Sequence, residues 1–464
     1  MSQTRREFLR RGACLLGAAT LGSTLESLGL VSALAQAPAS DYRALVCVFL
    51  NGGNDGNNMV VPLDAEYDAY NAIRGPSGLG FARTALHAIN PASGRQFGFH
   101  PNMPEMQSLF QQQRLAVVCN VGTLVEPLTK ASFQSGGRRP YQLFSHSDQI
   151  AQWMNSLASA PAQTGWGGRT ADRTGALNGA ATFPQVVSIS GISLFTVGVD
   201  ARPLAIADSR TSLNRVLPFN NPPGSAGYTA AQMNERNRAF NELRAFHDNV
   251  TLVRAAADTA EQAIQVNRAL ATADASLTTS FPDTTLGFQL EQVARLIKLR
   301  DTFSMKRQIF FCMLGGFDNH ANQRAAGQHD ALMQQVSQAM KAFYDSTVEL
   351  GVQNNVTTFT LSDFGRTLQP AGSGATTVGS DHAWGNHHLV IGGAVRGGDF
   401  YGRFPTLALG GPDDADNRGR WIPTLSVEQY AATLANWYGL APGDLPHAFP
   451  LIGRFPTANL GFMA

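Results

Sequence analysis

The chain has 464 residues, of which 35 are Lys or Arg and 34 are Asp or Glu, so its formal net charge is +1. This balance excludes a strongly basic protein that binds nucleic acid or an anionic membrane surface through its overall charge. The length is more than one small domain needs and allows one large α/β domain with insertions.

The first 35 residues resemble an export signal. Thr4–Arg10 carries the twin-arginine pattern, and an apolar stretch runs from Ala13 to about Leu34. Ala33–Ala35 is a small-x-small cleavage site. Polar residues interrupt the apolar stretch before it could span a bilayer, which argues against a stable membrane anchor. We therefore predict that residues 1–35 are a signal peptide, removed when the twin-arginine translocase exports the folded protein to the periplasm or the exterior.

Several apolar runs end in Gly-rich or polar turns and predict strands. Near-continuous apolar runs are typical of parallel strands that are covered on both faces. The five predicted strands are Arg43–Leu50, Leu115–Val121, Gln308–Leu314, Asn355–Leu361 and Leu389–Val395. The cysteines of the mature chain, Cys47, Cys119 and Cys312, lie inside three of these runs, so we expect buried thiols and no disulfide.

Helical patterns alternate with the strands. Asn102–Gln111 and Leu286–Phe303 place apolar residues at helical spacing, and Ser426 begins a capping-box helix that runs to Tyr438. This alternation predicts an α/β fold with a largely parallel central sheet flanked by helices. We expect residues 41–464 to form one large domain that contains a helical insertion at about residues 224–280.

The most informative segment is Thr360–His388. Asp363 follows a predicted strand, and ligands bind at the carboxyl ends of the strands in open α/β sheets. Asp381, His382 and His387 lie further along the same segment. Carboxylate and imidazole groups suit a divalent cation, and arginine suits an anionic substrate.

Four segments and the leader together resemble one bacterial family, the domain of unknown function 1501. The match covers nearly the whole mature chain. The four segments are Leu50–Gly56, Gly315–His320, Ser362–Thr367 and Asp381–His388. That family in turn resembles the alkaline phosphatase and sulfatase superfamily. Its members use one or two divalent metals at strand ends, with a nucleophile at a helix N-terminus, to hydrolyse phosphate or sulfate esters.

The resemblance implies metal ligands, with departures from the superfamily pattern. Asn51 stands where the superfamily has a metal-binding Asp, so either Asp55 substitutes from the turn or one metal position is lost. A glycine turn without any ligand is an equal alternative for residues 52–56. Asp318 and His320 resemble the Asp and His of the next metal-binding loop. Phe364 follows Asp363 where the superfamily has a His.

The histidine missing after Asp363 has to come from Asp381-His382 or from His387. The predicted metal ligands, for zinc, manganese or calcium, are therefore Asp55, Asp318, His320, Asp363, Asp381, His382 and His387.

The catalytic candidates are Ser145 and Arg366. Ser145 begins a predicted helix, whose positive N-terminal dipole suits an anion, although Ser145 with Asp148 also fits an ordinary capping box. His146 is close enough to assist Ser145 or to bind the metal. Arg366 suits bidentate pairing with an anionic oxygen. We expect His329 to be solvated.

Two functions remain open. The first is an exported metal-dependent hydrolase of a small phosphate or sulfate ester. The second is a non-catalytic sulfatase-like scaffold or binding protein, which is favoured by Asn51 and by the absence of the Cys/Ser-x-Pro-x-Arg sulfatase signature.

Overall fold

Buried strands build the centre of the computed structural model. It describes residues 41–179, 181, 183–213, 229–245, 274–372 and 377–464, with part of 254–270. The predicted signal peptide lies outside these residues. Residues 42–464 form one compact unit. The strands are β1 Arg43–Leu50, β2 Val60–Pro62, β3 His87–Ile89, β4 Phe97–Phe99, β5 Leu115–Gly122, β6 Val186–Ser188, β7 Leu204–Ala205, β8 Arg307–Leu314, β9 Val356–Ser362, β10 Arg366–Ala371, β11 Gly379–His382, β12 Asn386–Ile391, β13 Phe400–Tyr401 and β14 Leu425–Ser426.

Nine of these strands form the central sheet, in the order β13-β5-β12-β9-β1-β8-β6-β7, with β14 also paired to β5. The pairs β1–β8, β1–β9, β8–β6 and β6–β7 are parallel, as are those of β5 with β13 and β14. Strand β12 runs antiparallel to both β5 and β9. Two small sheets lie outside, β10-β11 and β2-β4-β3. The predicted α/β fold with a largely parallel sheet is confirmed.

Helices cover both faces of the sheet. The helices of the described residues are α1 Gly56–Met59, α2 Glu66–Arg74, α3 Pro104–Gln111, α4 Lys130–Gln134, α5 His146–Asn155, α6 Trp166–Thr174, α7 Ala230–Ala245, α8 Thr285–Lys298, α9 His329–Glu349, α10 Val427–Tyr438 and α11 Leu445–Ala448. Among the described residues, no helix is long and apolar enough to cross a membrane.

Successive side chains of β1 point to opposite faces of the sheet, so the apolar core has two layers. Val46 and Val48 pack in one cluster with side chains of α3, α8 and α9. Cys47 and Phe49 point to the other face and pack with side chains of α5, α6 and α10. Burial of each large apolar side chain stabilises the fold by about 1.5–3 kcal/mol. Cys47 and the other two described cysteines are buried free thiols.

Most predicted elements form close to their expected bounds. Strand β1 and helix α10 match the prediction, and α10 begins with the expected capping box between Ser426 and Gln429. Helix α3 begins at Pro104 and not at Asn102, since proline is suited to the first helical position. Strand β12 begins at Asn386, three residues before the predicted start. The predicted insertion is described mainly as α7, and residues 214–228 and most of 246–273 lie outside the described part.

The sheet register brings three polar segments to one edge. Leu50 at the end of β1 pairs with Leu314 of β8 and with Ser362 of β9. The residues that follow these three strands therefore meet at the same carboxyl edge. Asp318 and Asp363 lie in two of these segments, which is why residues so far apart in sequence come together.

Candidate metal centre

Three histidines converge on one carboxylate at this edge. The Nε2 atoms of His146, His320 and His382 lie 3.4, 3.2 and 3.6 Å from Oδ1 of Asp318. The Nε2 atoms of His320 and His382 are 2.8 Å apart. We call these four residues the strand-end cluster.

Each histidine is held by its other ring nitrogen. Nδ1 of His146 lies 2.7 Å from Oδ2 of Asp363, Nδ1 of His320 lies 2.8 Å from Oδ1 of Asp381, and Nδ1 of His382 lies 2.8 Å from the carbonyl oxygen of Phe144. All three partners are oxygen acceptors, so each Nδ1 carries the proton and donates. This assignment leaves the lone pair of every Nε2 directed at the cluster, as in histidines that bind metal.

The local backbone conformation orients the His146 side chain. Phe144 has a φ of 76°, an uncommon left-handed conformation for a bulky residue. It precedes Ser145, the N-cap of α5, so His146 is the first residue of the helix. This turn places the Phe144 carbonyl against His382 and the His146 ring against Asp363. Backbone strain of this kind is concentrated at functional sites.

The donor set fits a divalent cation. Four ligands at about 2.1 Å around a tetrahedral zinc ion lie roughly 3.4 Å from one another. The Asp318 distances to the three Nε2 atoms are close to that value. Ligand atoms of His146, Asp318 and His382 all lie within 4.8 Å of one another, and His320 adds a donor 3.2 Å from Asp318. Nε2 of His146 is also buried without a hydrogen-bond partner. Two imidazole lone pairs only 2.8 Å apart repel each other unless a proton or a cation lies between them.

Burial and neighbouring charges favour the protonation states that bind a metal, which are the ionised carboxylate of Asp318 and the neutral imidazole of His382. Burial acts to raise the pKa of Asp318, but the hydrogen bond and charge of Arg366 outweigh it, helped by His146 and His320, so the pKa lies below its usual value. Burial lowers the pKa of His382. The hydrogen bond that His146 donates to Asp363 raises the pKa of His146 against the effect of burial, so without a metal this ring binds a proton more readily.

Asp363 and Asp381 orient ligands in this arrangement. Asp363 is fully buried, and its Oδ1 accepts the Gly52 N–H at 3.0 Å while its Oδ2 accepts from His146. Asp381 accepts from His320 with Oδ1 and from Arg418 with Oδ2, which pull its pKa down against the effect of burial. Both carboxylates reach the cluster through a histidine.

Arg366 lies beneath the cluster with its donors engaged. Its side chain is 1% exposed and donates to the carbonyls of Gly52, Gly53 and Ser380. It also donates to Asp318 Oδ1 at 2.6 Å. The structure therefore places it as a support for the Asp318 loop and does not direct it outward to a substrate anion.

Two further predicted ligands lie away from the cluster. Both carboxylate oxygens of Asp55 are buried in an ion pair with Arg74, Oδ2 at 2.6 Å and Oδ1 at 3.1 Å, and Gln323 also donates to Asp55. His387 is buried, its Nδ1 accepts the Asn120 N–H, and burial lowers its pKa to about 3. Neither side chain faces the three converging Nε2 atoms.

Ser145 lies beside the cluster as the residue before His146. Its hydroxyl donates to Asp148 Oδ2 at 2.6 Å, and its side chain makes no capping hydrogen bond with the helix backbone. The capping box considered for this position does not form. The sequence predicted that His146 assists Ser145 or binds the metal. No sequence motif indicated a role for Arg418, which donates to Asp381.

A family profile described as a protein of unknown function (DUF1501) matches residues 42–419. The chain belongs to this family. No curated protein matches it significantly.

Solved structures share a distant likeness with the chain. The PsFucS1 sulfatase from Pseudoalteromonas sp. is 10% identical, with a TM-score of 0.34 over 91% of this chain and 72% of the other. The phosphonate monoester hydrolase of Agrobacterium radiobacter is 10% identical, with a TM-score of 0.31 over 88% and 77%. At these TM-scores the likeness carries no argument, so the site is argued from its own residues.

Proposed function

We propose that this protein is an exported metal-dependent hydrolase of a phosphate or sulfate ester. The metal is held by the strand-end cluster, and export follows the twin-arginine leader in residues 1–35. One observation carries the proposal. His320 and His382 direct their Nε2 lone pairs at each other across 2.8 Å, while both Nδ1 protons are committed to oxygen acceptors.

A bound divalent cation supplies positive charge that polarises an ester oxygen or lowers the pKa of a water molecule. The chain supplies the rest. Asp318 and the three imidazoles hold the cation, Asp363 and Asp381 fix two of the rings, and Arg366 anchors the Asp318 loop from below.

Ser145 is the candidate nucleophile. It stands at the N-cap position of the ten-residue helix α5, whose N-terminus favours an anion, and its hydroxyl donates to Asp148 in a 2.6 Å hydrogen bond. As Oγ attacks phosphorus or sulfur, Asp148 takes the hydroxyl proton, and the bond to the leaving alcohol oxygen breaks. The alcohol leaves with a proton from water, and a second water molecule hydrolyses the serine ester and restores Ser145.

A non-catalytic scaffold or binding protein is the second candidate. Asn51 stands at the strand end where the superfamily has a carboxylate, and Arg366 already neutralises Asp318 at 2.6 Å. Both features reduce the negative charge available to a second cation.

The test begins with the metal content of protein purified without chelator, followed by hydrolysis assays with aryl phosphates and aryl sulfates. We expect about one zinc or manganese ion per chain and hydrolysis of one substrate class. Asp318→Asn should lose both, and Asp330→Asn, at a carboxylate outside the cluster, should keep both. Metal without hydrolysis would favour the second candidate. A folded protein that takes up no added metal would contradict the hydrolase and also favour the second candidate.

A further inference from the structure

A loop of residues 413–421 packs along the strand-end cluster. Its main chain is fixed to β10, because the N–H groups of Leu368 and Gln369 donate to the carbonyls of Gly419 and Arg418. Arg418 and Arg420 alternate on this loop with Gly419, so both side chains extend from a restrained backbone.

Arg418 reaches the metal centre through a carboxylate. Its Nη2 donates to Asp381 Oδ2 at 2.5 Å, and Asp381 Oδ1 accepts from His320 Nδ1 at 2.8 Å. The His320 side chain is 47% exposed, which makes it more exposed than His146 and His382. Its ring therefore depends on Asp381 for its orientation, since rotation into solvent is open to it.

Arg420 acts on a second histidine of the cluster. Its Nε donates to the His382 carbonyl at 2.7 Å, and its guanidinium lies 4.5 Å from the centre of the Phe144 ring. The Phe144 carbonyl holds Nδ1 of His382. The same loop thus restrains two of the three histidines from outside.

We propose that Arg418 is a positioning residue of the metal centre, which fixes Asp381 and through it the Nε2 of His320. The inference rests on the metal site of the proposed function. Arg418 touches no metal ligand itself. Because it pairs with the carboxylate that holds His320, its loss frees Asp381 to rotate and His320 with it. Groups that orient metal-binding histidines typically change metal affinity 10–100-fold.

The experiment measures Zn²⁺ affinity by chelator competition, and the visible spectrum of the Co²⁺-loaded protein, for wild type, Arg418→Ala and Arg418→Lys. We expect Arg418→Ala to bind Zn²⁺ about 10-fold more weakly and to change the Co²⁺ spectrum. Arg418→Lys should recover part of the affinity, because lysine keeps the charge without the planar fork.

Arg403→Ala is the matched control. Arg403 makes an ion pair with Asp413 of the same loop, and in the described part of the chain Asp413 contacts no histidine. A change that only loosens the loop would affect both alanine variants alike and would leave the Co²⁺ spectrum unaltered. Equal affinities for Arg418→Ala and Arg403→Ala would overturn the inference.

The two proposals fail in different ways. Weaker metal binding in Arg418→Ala, in a protein that hydrolyses no ester, would support Arg418 while the hydrolase proposal fails. Unchanged metal affinity in an active enzyme would overturn the role of Arg418 alone. A wild-type protein that binds no metal would overturn both.

Discussion

Two groups of histidine and aspartate in this molecule contain the same residue types and have different chemistry. One is the strand-end cluster. The other, here called the buried cluster, comprises His100, His329 and Asp330. Ligand atoms of His146, Asp318 and His382 in the strand-end cluster all lie within 4.8 Å of one another, and so do those of the buried cluster. Proximity alone therefore does not distinguish a metal site.

The difference lies in the second ring nitrogen. Nδ1 of His100 accepts the Asn102 N–H at 3.0 Å, so the proton must be on Nε2, which donates to Asp330 at 3.1 Å. His100 has no lone pair left for a cation. In the strand-end cluster all three Nδ1 atoms face acceptors, and every Nε2 points into the cluster.

His329 completes the contrast. Its Nε2 lies 3.2 Å from Oδ1 of Asn54, and its buried Nδ1 has no hydrogen-bond partner. The expectation that His329 is solvated is wrong, because it begins α9 on the side facing the core. Burial lowers its pKa to about 4 and also lowers that of His100. The buried cluster is a hydrogen-bonded support between α9 and the segment before α3, in which both imidazoles are held neutral and Asp330 is kept ionised.

The first prediction concerns Asp55, whose charge acts on His329. Asp55→Asn should destabilise the protein by about 3–5 kcal/mol, because it leaves Arg74 buried without its partner. Zinc affinity should stay at the wild-type value. Chemical denaturation and chelator competition measure the two effects. Loss of zinc from a variant that remains folded would show that Asp55 is a metal ligand.

The second prediction compares the zinc affinity of two variants, each of which lacks one histidine of one cluster. His382→Ala should weaken zinc binding by roughly 10²–10³-fold, since one of four ligands supplies on the order of a quarter of a binding free energy of about 10–16 kcal/mol. His100→Ala is its matched control and should retain zinc while losing stability. Similar zinc losses in the two variants would refute the distinction between the clusters.

The third prediction concerns how the free energy of unfolding depends on pH. A histidine with a folded pKa of about 4 and an unfolded pKa of about 6.5 binds fewer protons when folded between these values. Its contribution to stability is therefore complete above about pH 6.5 and falls as the pH drops towards 4, by about 3 kcal/mol in total.

We expect His329→Leu to lose this part of the acid sensitivity. The free energy of unfolding, measured between pH 4 and 8 for both proteins, should show curves that converge at low pH. Parallel curves would mean that folding leaves the pKa of His329 unchanged.

The sequence predicted the fold and part of the site. Continuous apolar runs predicted the parallel strands, because a strand buried on both faces has no polar alternation. The motifs around Asp318, Asp363 and Asp381 were recognised, and all three residues meet at the strand-end cluster or touch its histidines. Asp363 and Asp381 were predicted as ligands, and the structure places them behind the rings.

Three other predicted site residues depended on contacts that spacing does not reveal. Asp55 meets Arg74 only when α2 packs against the turn that follows β1. Arg366 is covered by backbone carbonyls of the same turn. His387 lies on β12, where its side chain faces the interior. In each case a partner far away in the chain decides the role.

The sequence by itself determined which strands form and which polar residues follow them, because apolar periodicity and turn chemistry are local properties. Only the tertiary structure decided which imidazole nitrogen is free. That choice depends on an oxygen acceptor brought from another element, such as Asp363 for His146 or Phe144 for His382. Metal-binding geometry is therefore a property of the packed fold, whereas its ingredients are already present in the sequence.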